Sequence, residues 1–361
     1  MKNLFILILL FVFTVLSVKS QNYEAFNKFM RDYSHGWTLE FRKPSGRTME
    51  MVKQVGEPAP EFYFDKKLNS KALKGKFVVI NFWSTWCGSC VNLAMDIDTV
   101  LFRNMEPYKD VYFIGVDSHE RMSERDAKKW WEDHGFNYPS GYGKGADACA
   151  EAFHGNHPAV ILIDDKGIIR GRWDGRSPRL AEMIRDAVWV LKIVPEQGIK
   201  ADVTTVKELV AKDEFIKALY LLEIMPESIK SAALKYQCKL EVSGMSAARY
   251  FEFIQEEYQD DPQYHDLMEE IMYLVVAFQT KSDVIIKNGL DAADVLLKSR
   301  KNMDYRVHET TGILSFRYGE SFKSKGIRFM ENSIPTAKMN HVSGDTIKRL
   351  EEQLKKYREM R

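Results

Sequence analysis

Cys87 and Cys90 stand two residues apart in "NFWSTWCGSCVNL", at the point where an apolar run ends and a helical pattern begins. Two thiols at this spacing serve as a redox couple, as a structural disulfide, or as half of a metal site. A structural zinc site needs a second close pair, and the remaining cysteines, Cys149 and Cys238, are far apart in the chain and belong to no C-x-x-C. Haem attachment needs a histidine after the second cysteine, and residue 91 is Val91. A purely structural disulfide closing so short a loop constrains the unfolded chain very little. Redox chemistry is therefore the leading reading, and no metal or cofactor is expected.

The flanking residues supply a mechanism. "FVVINFW" (Phe77 to Trp83) is a continuous apolar and β-branched run, as expected of a strand buried on both faces. After Gly88, apolar residues recur at helical intervals: Val91, Leu93, Ala94, Ile97, Val100 and Leu101. Cys87 then sits at a strand-to-helix junction, facing unpaired N–H groups that favour a thiolate over a thiol. Cys90, one turn deeper on the same face, is placed to attack a mixed disulfide on Cys87 and release the partner. Trp86 forms an apolar lip to the site or serves only in packing.

The chain as a whole bounds the alternatives. With 361 residues it has length for two cores. Its 52 basic and 51 acidic side chains leave a net charge of +1, which provides no polyelectrolyte field for nucleic acid. The opening "MKNLFILILLFVFTVLSVKS" has the early Lys2, an apolar run from Leu4 to Val18 and a small residue, Ser20, before polar sequence. That is the layout of a cleaved signal peptide over residues 1–20, and the run falls short of the ~20 residues that span a bilayer. The expected product is exported, most simply to a periplasm, with no stable membrane span after cleavage; an uncleaved anchor is the alternative.

Four stretches together resemble the TlpA/ResA-like branch of the thioredoxin superfamily: "VGEPAPEF" (Val55 to Phe62), "KGKFVVINFWSTWCGSC" (Lys74 to Cys90), "VYFIGVD" (Val111 to Asp117) and "HPAVILIDDKGIIRGRWDG" (His157 to Gly175). The resemblance covers about residues 50 to 195. It implies an α/β thioredoxin-like fold with a central mixed sheet flanked by helices, a dithiol/disulfide couple between Cys87 and Cys90, and protein thiols or disulfides as partners together with an upstream redox partner. It also assigns Pro158 as a cis-proline that packs on the cysteine pair and leaves backbone exposed for an extended substrate. With Trp86 and His157, Pro158 makes the expected substrate-binding set.

Departures from that family pattern matter equally. The intervening dipeptide Gly88-Ser89 lacks the proline of many reductases, Asn81 stands where many thioredoxins carry a buried acid, and "VNLAM" (Val91 to Met95) holds no charge. Both usual routes for taking the proton of Cys90 are thus missing. His157, next to Pro158, is the candidate replacement, since an imidazole titrates near 6.5; otherwise it only shapes the groove. A peroxiredoxin is disfavoured, because Ile80 occupies the proline position of its active-site pattern and a resolving Cys90 is foreign to it.

The domain plan follows: an extension over residues 21–55, a thioredoxin-like domain over 56–195, and an all-α domain over 200–361. The last shows apolar residues at helical spacing, with starts expected at Thr204, Asp261 and Asp345 and interruptions at Pro226, Pro262 and Pro335. Ile313 to Ile334 loosely resembles half of a tetratricopeptide hairpin, without a second copy in register. "GYGKGAD" (Gly141 to Asp147) lacks a dinucleotide-binding spacing and reads as a flexible loop. Cys149 and Cys238 read as small buried hydrophobes rather than an interdomain disulfide.

Two functional classes remain. One is an exported thiol-disulfide oxidoreductase, more in keeping with reduction of protein disulfides. The other is a partner-binding or chaperone-like protein whose helical domain does the work and whose thioredoxin-like domain is a scaffold.

Overall fold

A computed structural model describes residues 24, 26, 27, 30, 54–105, 108–155, 157–175, 179–299 and 303–360. The expected signal peptide, residues 1–20, and most of the extension at 21–55 lie outside the described residues. The chain divides into two compact units, Met1–Pro226 and Glu227–Arg361.

The first unit is built on a five-stranded sheet of order β3-β2-β1-β4-β5. Its strands are β1 (Phe77–Trp83), β2 (Val111–Asp117), β3 (Ser140–Gly141), β4 (Ala159–Ile163) and β5 (Ile169–Asp174). β1 pairs in parallel with β2 and antiparallel with β4, so the apolar run of the sequence lies in the centre of the sheet. Every residue of β1 is buried, which explains its lack of alternation. β4 and β5 form a hairpin closed by the Asp164 to Gly167 turn, where the Asp164 carboxylate also accepts from the N–H groups of Lys166 and Ile168.

Helices cover the sheet. α1 (Gly88–Asp96) leads through a wide π-type turn (Ile97–Phe102). α2 (Glu124–Asp133) is capped by Ser123, whose hydroxyl accepts from Asp126 N–H. α3 is Gly143–Ala152 and α4 is Leu180–Val188. α3 corrects the reading of Gly141 to Asp147 as a flexible loop: Gly141 closes β3 and Gly143 opens the helix. Its glycines serve close packing instead, since a Cβ at Gly141 would lie 2.4 Å from the Phe64 ring and one at Gly145 would lie 2.7 Å from the Tyr63 carbonyl.

Two further helices, α5 (Val203–Val210) and α6 (Phe215–Ile224), belong to the first unit, although the all-α text of the sequence begins near residue 200. Tyr220 of α6 is fully buried and its hydroxyl donates to the Met183 carbonyl of α4 at 3.0 Å, which ties α6 to the sheet-covering layer.

The second unit is helical: α7 (Ile229–Val242), α8 (Gly244–Glu257), α9 (Tyr264–Phe278), α10 (Asp283–Leu297), α11 (Tyr305–Tyr318), α12 (Glu320–Met339) and α13 (Gly344–Glu359). Neighbours pair as hairpins, α7 with α8, α9 with α10 and α11 with α12, and α9 also packs on α7 and α11. The α11–α12 pair approaches closely because Gly312 and Gly326 face each other; a Cβ on Gly326 would lie 3.0 Å from the Gly312 carbonyl. The expected interruptions at Pro226 and Pro262 fall between helices, whereas Pro335 lies inside α12. The helix continues through it, and around this site the hydroxyls of Ser333 and Thr336 donate to the carbonyls of Met330 and Asn332 at 2.7 and 2.8 Å.

Candidate functional site

The site forms at the carboxyl ends of β1 and β2, where parallel strands release their chains toward one edge. β1 ends at Trp83, and Cys87 is the N-cap residue of α1. Cys87 and Cys90 form a disulfide with Cα atoms 5.2 Å apart. Cys90 is fully buried, while Cys87 keeps 8% of its surface, so an approaching sulfur meets Cys87 first. The Cys87 carbonyl accepts from the N–H groups of Cys90 and Val91, and the Ser89 hydroxyl lies 3.4 Å from Cys87 Sγ.

The antiparallel register Phe82↔Ala159 brings the segment before β4 beside the end of β1. That segment carries the His157–Pro158 peptide, which is cis. The His157 ring lies 5.4 Å from the ring of Trp86, so the sequence-derived residues Trp86, Cys87, Cys90, His157 and Pro158 gather in one place. Trp86 is 44% exposed, with its Nε1 donating to the His119 carbonyl at 3.1 Å and the Arg121 guanidinium 4.8 Å from its ring centroid.

The loop after β2, outside the site expected from the sequence, braces Thr85, Trp86 and His157. Glu120 accepts from the N–H and hydroxyl of Thr85, at 2.7 and 2.8 Å, and from the N–H groups of Arg121 and Met122. His119 N–H donates to Asp147 of α3 at 2.9 Å, and His119 takes a left-handed φ of 56° to do so. Ser118, fully buried, places its hydroxyl 3.0 Å from His157 Nε2. A usable signal existed: the polar "SHER" follows directly on the carboxyl end of a strand adjacent to β1.

Burial dominates the electrostatics. It lowers the pKa of His157 below the ordinary imidazole value, the neighbouring His119 adding to the effect, so the ring is neutral at neutral pH. Asp117, paired in register with Trp83 and only 2% exposed, is pushed up to about 8 by burial and by Glu120 and Asp147. Among the described residues its Oδ1 has no partner. Asn81, at the position of the acid expected in many thioredoxins, is 1% exposed and donates to the Tyr138 hydroxyl at 3.3 Å. The two remaining cysteines, Cys149 and Cys238, are free and buried, and burial pushes both thiols up to about 12.

A central mixed sheet, a Cys-x-x-Cys disulfide at the first turn of a helix and a cis-proline leading into the neighbouring strand make a thioredoxin-like domain, and its sequence is similar to TlpA/ResA-like members of that superfamily. Residues 54–187 match the Redoxin family model. The thiol-disulfide oxidoreductase ResA of Bacillus thuringiensis (strain Al Hakam) is 31% identical over 118 residues, 32% of this chain and 66% of the relative's length. The thioredoxin-like protein YneN of Bacillus subtilis (strain 168) is 27% identical over 140 residues, covering 37% of this chain and 78% of its own. Among solved structures, a thioredoxin-family thiol:disulfide interchange protein of Chlorobium tepidum TLS has 24% identity and a TM-score of 0.31, covering 36% of this chain and 95% of that one. A thiol:disulfide interchange protein from Bacteroides sp. has 20% identity and a TM-score of 0.30, with 36% and 87% covered.

Proposed function

We propose that the protein is an exported thiol-disulfide oxidoreductase that works through Cys87 and Cys90 and reduces disulfides in protein substrates. The observation that carries this reading is the Cys87–Cys90 disulfide at the start of α1, with one sulfur accessible and the other buried. In the reduced protein the Cys87 thiolate attacks a substrate disulfide; one substrate sulfur leaves as a thiolate and the other stays bonded to Cys87. The Cys90 thiolate then attacks Cys87 Sγ, re-forms the disulfide and releases the second substrate thiolate. Two electrons pass to the substrate, and an upstream dithiol must restore them.

Trp86, His157 and Pro158 make the proposed substrate-binding surface, and His157 handles the proton of the resolving step. A neutral, half-enclosed imidazole suits that task better than a permanently charged one. Export is supported by the pattern of residues 1–20; among the described residues no helix is long and apolar enough to cross a membrane. The domain plan of the sequence, residues 56–195 followed by a helical domain from 200, is retained as a proposal. The scaffold reading is not favoured, because it leaves the accessible-and-buried cysteine pair without a purpose. Reduction of a disulfide-bonded model protein by a dithiol, catalysed by the intact chain and abolished in Cys87→Ser, tests the function; equal rates with and without the protein would exclude it.

A further inference from the structure

Ser118 follows β2 directly, and its N–H donates to the Trp83 carbonyl at 3.1 Å, so its place beside the end of β1 is set by the sheet itself. Its hydroxyl lies 3.0 Å from His157 Nε2 and carries no other bond among the described residues. The His157 ring is bounded by Trp86 at 5.4 Å and by His119 at 5.6 Å. We propose that Ser118 is a positioning residue for His157: its hydroxyl holds Nε2, so that Nδ1 is the nitrogen left to carry a proton to and from the cysteine pair. This rests on the reading of Cys87 and Cys90 as a redox couple.

To take a proton at Nδ1 the neutral imidazole must carry its own on Nε2, and in the proposed arrangement the Ser118 hydroxyl oxygen accepts from Nε2–H. Without that partner the half-buried ring loses its side-chain hydrogen bond, and its orientation is left to the weaker hold of the Ser118 and Trp83 backbone. The charged and titratable groups facing His157 are few. His119 and Glu120 come from the loop after β2; Trp86, whose ring borders the imidazole, carries Arg121 over its own ring and directly precedes the Cys87–Cys90 pair in the chain. Burial and then His119 press the imidazole toward neutrality, while hydrogen bonding to the backbone of Ser118 and Trp83 and, less, the Glu120 carboxylate oppose them.

The proton balance closes within the site. Cys90 gives its thiol proton to the imidazole, and the resulting thiolate attacks Cys87 Sγ of the mixed disulfide. The Cys87–Cys90 bond forms as the Cys87–substrate bond breaks, and the departing substrate thiolate takes the proton back from the imidazolium. Histidine supplying such transfers typically contributes 10²–10⁴-fold, so misorientation of the ring forfeits part of that.

Two readouts on the intact chain test the proposal. Imidazole ¹⁵N shifts report the tautomer of His157, and the pH profile of dithiol-driven disulfide reduction reports its titration. Wild type is expected to hold one tautomer. Ser118→Ala is expected to give a mixture, a displaced pH limb and a roughly tenfold slower rate at neutral pH, while Ser118→Thr restores all three. Exchange between tautomers in the wild-type protein, or a Ser118→Ala variant with unchanged shifts and pH profile, overturns the proposal while a reversible cysteine couple leaves the redox reading standing. A wild-type protein with no reversible couple removes both.

Discussion

Glu120 holds Thr85 with both carboxylate oxygens, one on the backbone N–H at 2.7 Å and one on the hydroxyl at 2.8 Å. Thr85 stands two residues before Cys87, so this grip fixes the loop that delivers the accessible sulfur. Burial alone would raise the Glu120 pKa, but the donors of Thr85, Arg121 and Met122 outweigh it and the net shift is downward. A lowered folded-state pKa stabilises above the unfolded value and is lost as pH falls through the folded one.

Glu120→Ala is therefore expected to cost about 2 kcal/mol at pH 7, the range of hydrogen bonds to a charged group. The deficit shrinks in acid below the ordinary glutamate pKa. Denaturant titrations of both proteins at pH 7 and pH 3 check it; an equal deficit at the two pH values would contradict the charge-dependent grip.

Asp117 predicts the opposite slope. Its pKa is raised to about 8, so the unfolded chain releases the proton near pH 4 while the folded chain retains it to about 8. Its contribution to stability is present in full below pH 4 and declines as pH rises across that window. Asp117→Asn, which keeps the shape and cannot ionise, is expected to gain stability relative to wild type between pH 4 and 8, by up to a few kcal/mol. Thermal melts of the pair at pH 4.5 and 8.5 that differ by the same amount would count against the buried neutral acid.

The four cysteines should separate by reactivity. After gentle reduction of the folded protein, a thiol-alkylating reagent is expected to modify Cys87 first. Cys149 and Cys238, buried and with thiols pushed up to about 12, should react only when the chain unfolds. Peptide mass mapping with and without denaturant decides this, and rapid labelling of Cys149 in the native state would contradict its burial.

Trp86 is the exposed aromatic nearest the reactive pair. Trp86→Ala removes its ring from beside His157 and Arg121, and its expected stability cost is within about 1 kcal/mol because the side chain is 44% exposed. Its expected kinetic effect is larger, a severalfold rise in KM for a protein disulfide with little change toward a small disulfide. Equal effects on both substrates would assign Trp86 to packing.

Much of the sheet unit was legible because its chemistry is local. The apolar run of β1, the cysteine spacing and the helical pattern after Gly88 each carry their own signal, and the family pattern added Pro158. What the sequence withheld depends on contacts distant along the chain. Ser118 meets His157 across 39 positions and Glu120 meets Thr85 across 35, and neither pair has a spacing to recognise. The glycines of Gly141 to Asp147 read as a flexible loop in sequence because glycine marks close packing as readily as flexibility, and Phe64 and Tyr63, which demand it, are remote along the chain. Pro335 misled in the other direction, because hydroxyls nearby accompany a helix that runs on through it. The family pattern places its buried acid at position 81 of β1, whereas the fold holds one on the neighbouring strand at Asp117.

The most direct test of the redox reading is the reduction potential of the Cys87–Cys90 pair in the intact protein, equilibrated against dithiol buffers and followed by tryptophan fluorescence and thiol alkylation. A reversible two-electron couple nearer the thioredoxin value of about −270 mV than the oxidant value of about −120 mV is the expected result. No reversible couple in that range would contradict the redox function, and a value near −120 mV would contradict its reducing direction.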